Sequence, residues 1–182
     1  VAAFIPTAVL GLAFYKVIKT YLLASSTIVL WSLLVGGVAL IVFELVHREK
    51  DDAIEDLGSI PFGTSLLIGL FQAVAMVPGV SRSAATIVGG LVLGLKRKTI
   101  VEFSFLLAVP TMAAATGLDL MKNAGSFSAG QMGFLSVGFV LSFISALGAV
   151  KFLLQFIKNH TFISFGVYRV ALSIAFWVLL VR

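Results

Sequence analysis

Between Val77 and Thr86 the chain reads VPGVSRSAAT, which places Arg82 among three hydroxyls, Ser81, Ser83 and Thr86, just after a Pro78-Gly79 pair. A guanidinium offers a planar fork of donors that matches phosphate and carboxylate oxygens. Gly79 would let the backbone approach a ligand closely. A helix beginning near Ser83 would point its unpaired N–H groups and positive dipole end into the same space, with Arg82 and Thr86, four apart, on one side. Arginine, hydroxyls and a helix N-terminus together describe a phosphate or pyrophosphate cradle. An isolated arginine would more simply snorkel to an interface or pair with a distant carboxylate such as Glu44 or Glu102. The Pro-Gly break and the clustered hydroxyls shift the reading towards an anion site.

The surroundings sharpen the question. Only 12% of the 182 residues are charged against 60% hydrophobic, where a soluble domain carries about a quarter charged. With a mean hydropathy of +1.12, the chain reads as one all-α, polytopic membrane domain over residues 1–182. The net charge of +5 is scattered between apolar runs, as the basic flanks of membrane segments require, and argues against nucleic-acid binding. The absence of cysteine excludes disulfides, thiolate catalysis and Cys-ligated metals. The opening VAAFIPTAVLGLAFYKVIK does not read as a signal peptide and looks like the interior of a longer protein.

Candidate spans are 1–18, 26–46, 99–118 (interrupted at Pro110), 130–150 and 161–181, each close to the roughly 20 apolar residues a bilayer demands. Gly133, Ser136, Gly138, Ser142, Ser145 and Gly148 predict close helix approach in the fourth. Residues 47–56, HREKDDAIED, read as a solvated loop. The stretch from Ile60 to Leu95 suits neither one span nor two. Pro78 interrupts it, so Val77–Ser83 is expected to be non-helical at membrane depth, either in a broken crossing helix or in a re-entrant hairpin. Such backbone needs surrounding protein or a water-filled cavity. Gly90 and Gly94 form a GxxxG expected to pack the second half-helix against a neighbour. Arg48, Lys50, Lys96, Arg97, Lys98, Lys151 and Lys158 fall on one side of the hairpin topology, and Lys16, Lys19, Lys122 and Arg182 on the other. The richer side is expected to be cytoplasmic and the C-terminus external.

Residues 71–110, FQAVAMVPGVSRSAATIVGGLVLGLKRKTIVEFSFLLAVP, strongly resemble the second-half signature of the undecaprenyl-diphosphate phosphatases, or bacitracin-resistance proteins. There a PGxSRSxxT motif precedes a glycine-rich apolar helix and an E-FSFLLA-P segment. Pro78, Gly79, Ser81, Arg82, Ser83, Thr86, Glu102 and Pro110 match position by position, and FISFGVYRV (162–170) resembles the family's C-terminal Tyr-Arg segment. Ala84 stands where the family usually has glycine. The family's (E/Q)xxxE motif and Ser-Ser-Thr-Gly-His stretch are missing, so the chain looks like the C-terminal two-thirds of the enzyme, the second half of an inverted-repeat fold. Gln72 resembles the repeat counterpart of the glutamate motif, but an amide cannot act as a base. His47 and His160 lie in charged loops and match nothing in the motif.

The resemblance implies a phosphatase in the bacterial inner membrane that hydrolyses undecaprenyl diphosphate to the monophosphate and phosphate, recycling the carrier lipid for peptidoglycan synthesis. Arg82 would bind the diphosphate and stabilise its developing charge, with Ser81 and Thr86 as further catalytic residues and Gly79 and Ser83 contacting substrate. Glu102 is the candidate acid/base, though a pairing role suits it equally, and Arg169 reads first as structural. The family implies a divalent cation, Mg²⁺ or Ca²⁺, with ligands mostly outside this chain. Expected partners are the polyprenyl diphosphate and membrane lipid, with homo-oligomerisation left open. The alternative is a transporter or flippase of a lipid phosphate or other anion, since broken helices characterise secondary transporters. A third reading is a fragment that keeps the fold without the activity.

Overall fold

Ser25 turns extended and accepts the Ile28 N–H on its Oγ at 3.4 Å, and this cap starts the long helix α3 (Ser26–Val46). Ahead of it run α1 (Phe4–Ala13), the single turn α2 (Tyr15–Val17) and a π-helical turn at Ile18–Leu22. After it come α4 (Phe62–Ala73), α5 (Arg82–Val92), α6 (Arg97–Asn123), α7 (Ala129–Ile157) and α8 (Ile163–Leu180). The computed structural model describes residues 2–22, 25–123, 129–157 and 161–180; Lys158 and Arg182 of the charge count, and His160, lie outside them. Among the described residues three helices, α3, α6 and α7, are long and apolar enough to cross a bilayer, so the chain is an all-α, multi-span membrane bundle.

Two expectations about the spans fail. Helix α6 runs unbroken through Pro110. Pro110 withholds one backbone donor, from the Leu106 carbonyl a turn back, while the Thr111 hydroxyl donates to the neighbouring Leu107 and Ala108 carbonyls at 2.8 and 2.9 Å. The small residues of α7 do not draw in a neighbour: Gly133, Gly138 and Gly148 have nothing within 4 Å of where a Cβ would stand. Close packing falls instead between α3 and α8. A Cβ on Gly37 would meet the Gly166 carbonyl at 2.9 Å, and Trp31 and Trp177 stack edge-on 5.2 Å apart.

The segment from Ile60 to Leu95 is a helical hairpin whose two arms, α4 and α5, pack on each other. Ile54 and Leu95 form an isolated parallel bridge, with Ile54 N–H donating to Gly94 O at 2.9 Å and Lys96 N–H to Ile54 O at 3.0 Å. Entry and exit are thereby pinned at one end of the bundle. Gly94, at φ +84°, ends α5 with Leu95 N–H returning to Gly90 O at 3.0 Å. Gly94 is therefore a helix terminator, not the packing residue its GxxxG spacing predicts. The packing glycines are Gly90, where a Cβ would strike Ile100, and Gly89, where it would strike Phe71. At 1.5 Å per residue α5 descends roughly 16 Å, about half of a 30 Å hydrocarbon core. Ile68, Ile87, Leu91, Leu95, Ile100 and Val101 fill the core between hairpin and α6.

The end opposite the bridge carries Lys122, whose Nζ donates to the Tyr15 hydroxyl at 3.1 Å. At the bridge end, Arg97 Nη1 lies 2.8 Å from Glu44 Oε1 and its guanidinium sits 5.0 Å over the Phe162 ring. Glu55 and Lys96 form an exposed ion pair there. Lys96 holds the Glu55 carboxyl below its ordinary pKa, and Glu55 raises that of Lys96, in each case first through their hydrogen bond.

Candidate active site at the hairpin tip

The chain leaves α4 through a 3₁₀ turn at Val74–Met76, bends at Pro78-Gly79, and enters α5 at Arg82. The non-helical tip is thus Val77–Ser81, two residues shorter than the sequence suggests, because Ser81 takes the N-cap. Its Oγ accepts the Ala84 N–H at 3.2 Å. The Arg82 and Ser83 N–H groups stand in the first turn, where a helix supplies no partner of its own. The Ser81 hydroxyl, acting as acceptor in the cap, keeps its proton for another acceptor.

Helix α6 faces this tip with two hydroxyls seven residues apart, and so on one face. Arg82 Nη1 donates to Thr111 Oγ1 at 3.2 Å, and the Ser83 and Ser104 hydroxyls lie 3.3 Å apart. Arg82 pairs with neither Glu44, which is held by Arg97, nor Glu102. Two residues before Ser104 is roughly 200° around a helix, which turns Glu102 away from the tip. The candidate acid/base is not part of this arrangement.

Thr86 is also placed differently from its expected role. It is fully buried at 0% exposure, and its hydroxyl is directed to Arg82 O at 2.9 Å and Gln72 Oε1 at 3.4 Å. Gln72 Nε2 continues to Thr7 Oγ1 at 3.1 Å, and Thr7 to Gly69 O at 3.0 Å. This polar chain ties α1, α4 and α5 beneath the cradle. Thr86 therefore joins the first turn of α5, through the Arg82 carbonyl, to Gln72 of α4.

Arg169, 5% exposed, fastens the turn from the other side. Its Nη2 donates to Gly79 O at 2.7 Å and Ser32 O at 3.3 Å. Gly36 makes the space, since a Cβ there would lie 2.8 Å from Nη2. Gly79 holds φ +90° and sits so close to α3 that a Cβ on it would lie 2.5 Å from the Val29 carbonyl oxygen. The structural reading of Arg169 thus gains a specific task, fixing the Pro-Gly bend between α3 and α8. Behind the tip, Ser81, Val80 and Arg169 line a cavity of about 200 Å³.

Comparison with known proteins fits this geometry. The family model described as "Bacitracin resistance protein BacA" matches residues 1–175. The chain belongs to that family. An undecaprenyl-diphosphatase of Sulfurihydrogenibium sp. (strain YO3AOP1) is 53% identical over 97% of this chain and 69% of its own length. That of Aquifex aeolicus (strain VF5) is 46% identical over 97% and 68%. That of Methanococcus aeolicus is 40% identical over 100% and 71%. The chain therefore spans about two-thirds of these relatives and is a membrane enzyme of a diphosphatase family.

The cradle's donors are a guanidinium, hydroxyls and backbone N–H groups, which bind anions. Mg²⁺ and Ca²⁺ take carboxylate and carbonyl oxygens, and among the described residues no three His, Cys, Asp or Glu converge. These residues do not fit a divalent cation. Ser104, Thr111 and Thr7 were not singled out by the sequence. The only signal, for Ser104 and Thr111, was their seven-residue spacing in the apolar middle of α6.

Proposed function

We propose that the chain acts on undecaprenyl diphosphate, hydrolysing it to undecaprenyl phosphate and inorganic phosphate and so returning the carrier lipid to cell-wall synthesis. The observation that carries this reading is Arg82 at the N-terminus of the half-length helix α5, at the tip of an apolar hairpin that this reading sets at membrane depth. A cation placed there otherwise costs on the order of 3 kcal/mol; a diphosphate head group offsets it.

In this reading Arg82 and the Arg82 and Ser83 N–H groups take the terminal phosphoryl oxygens, with Ser81 and Ser83 hydroxyls completing the grip. Water attacks the terminal phosphorus, and the bond to the bridging oxygen breaks. That oxygen leaves with the lipid monophosphate, and the attacking water gives up its proton outside the cradle. Charge accumulates on the equatorial oxygens, where a preorganised guanidinium acts most strongly. The hairpin is read as one of two inverted repeats, a plan common to broken-helix membrane folds. The end carrying Arg48, Lys50, Lys96, Arg97 and Lys98 is placed in the cytoplasm, with the C-terminal end of α8 outside.

Phosphate release from undecaprenyl diphosphate tests the reading. Arg82→Ala should lower turnover about 10²–10³-fold, the usual cost of one charge-stabilising donor. Near-normal release would remove Arg82 from the site. Movement of intact lipid phosphate across vesicles without phosphate release would favour the transporter instead.

A further inference from the structure

A second cavity starts where the cradle ends. Ser83 and Ala84, in the first turn of α5, form one wall of a pocket of about 350 Å³. Its other walls are Phe152 and Phe156 of α7, Phe162 in the connection, and Phe165 of α8. Apart from a few hydroxyls the lining is aliphatic and aromatic. The pocket extends from the hairpin tip towards the bridge end, where Phe162 lies under the Arg97 guanidinium. Its outer edge opens sideways, with Phe152 69% and Phe165 42% exposed.

We propose that this pocket holds the prenyl chain adjoining the diphosphate, so that α7 and α8 set preference for chain length; the inference rests on the lipid-diphosphate reading above. Continuity identifies the occupant. Ser83 belongs to both spaces, so a ligand whose head group meets Arg82 places its first apolar atoms against Ala84 and Ile87. The head group must be anionic and the next portion apolar, which describes a polyprenyl diphosphate and excludes free phosphate as the sole ligand. The lateral opening lets a long chain enter from the bilayer without threading, and unsaturated isoprene units meet phenylalanine rings along the wall. A head-group site without this pocket would treat all lipid diphosphates alike.

The test measures binding of inorganic pyrophosphate and of dimethylallyl, farnesyl and geranylgeranyl diphosphates to the reconstituted chain. Affinity should rise with prenyl length and level off once the pocket is full. Ser164→Trp fills the pocket from its exposed α8 wall. It should weaken geranylgeranyl diphosphate at least tenfold, about 1.4 kcal/mol, and leave inorganic pyrophosphate unchanged. Val167→Trp, on an exposed part of α8 outside the pocket, should change neither. A photoreactive farnesyl diphosphate on the unaltered protein should label Phe152, Phe156 or Phe162, which keeps the test independent of variant folding. Labelling elsewhere, or a Ser164→Trp effect equal for pyrophosphate and long lipids, overturns the pocket assignment. Pyrophosphate binding that ignores Arg82→Ala overturns the head-group reading beneath it.

Discussion

Thr111→Val tests whether the α6 hydroxyl acts through Arg82. The substitution keeps the β-branched shape in α6 but deletes the acceptor 3.2 Å from Arg82 Nη1. A hydrogen bond to a charged group is worth about 1.5–3 kcal/mol. The freed guanidinium can recover part of this from water in the cradle, so the lower figure applies, and roughly tenfold weaker pyrophosphate binding is expected. Thr111→Ser should restore most of it. Isothermal titration on the reconstituted protein gives the affinities, and thermal unfolding shows whether the α6 carbonyls at Leu107 and Ala108 can spare the hydroxyl. The deciding measurement is a double-mutant cycle. In an Arg82→Ala background Thr111→Val should add nothing, because its only route to the ligand is gone. An undiminished effect there would show that Thr111 meets the ligand itself or distorts the helix, and the positioning argument would fall.

Gly79→Ala forces a methyl into φ +90° against the Val29 carbonyl; it should cost about 1–3 kcal/mol and lower the unfolding temperature by several degrees, while an unchanged midpoint would mean the bend is slack. Arg82→Lys should also impair phosphate release, since an ammonium lacks the planar fork, and full activity would reduce Arg82 to a point charge. The 182-residue chain should turn over substrate about 10²–10⁴-fold more slowly than the longer Sulfurihydrogenibium relative, the usual worth of general acid–base help, because its cradle holds no titrating group; equal rates would send the search for a base back to Glu102. Finally, Glu55 is depressed by Lys96, so the stability it lends is present above the ordinary carboxylate range and is lost as pH falls through the lowered value. Lys96, raised by Glu55, keeps its share until pH climbs through its elevated value. Glu55 titration followed by NMR should move up to the ordinary range in Lys96→Ala.

What the sequence carried depended on how local the cause was. The limits of α3 were legible because a serine cap starts it and a charged run ends it. The break at Pro78-Gly79 was legible because proline acts on its own turn. Whether that break made a crossing or a hairpin was not, since the answer rests on Ile54 meeting the distant Leu95. Thr86 illustrates the same limit. Its spacing from Arg82 is helical and was readable, but Gln72 of α4 decides which way the hydroxyl turns. Pro110 went wrong in the opposite sense, as a local rule was overruled: the loss of one backbone donor did not end a helix 27 residues long. Arg82 was legible because charge in an apolar run is costly wherever it lies. Its α6 partner emerged only once α6 stood beside α5.

The bridge between Ile54 and Leu95 has a topological corollary. A hairpin that enters and leaves at one end contributes no net crossing, so the spans after it keep the same sense whether it is present or not. A polypeptide can therefore acquire a reaction chamber at mid-bilayer without inverting anything downstream. Such a unit can be gained, copied or exchanged between membrane proteins as a cassette, provided its two ends still meet.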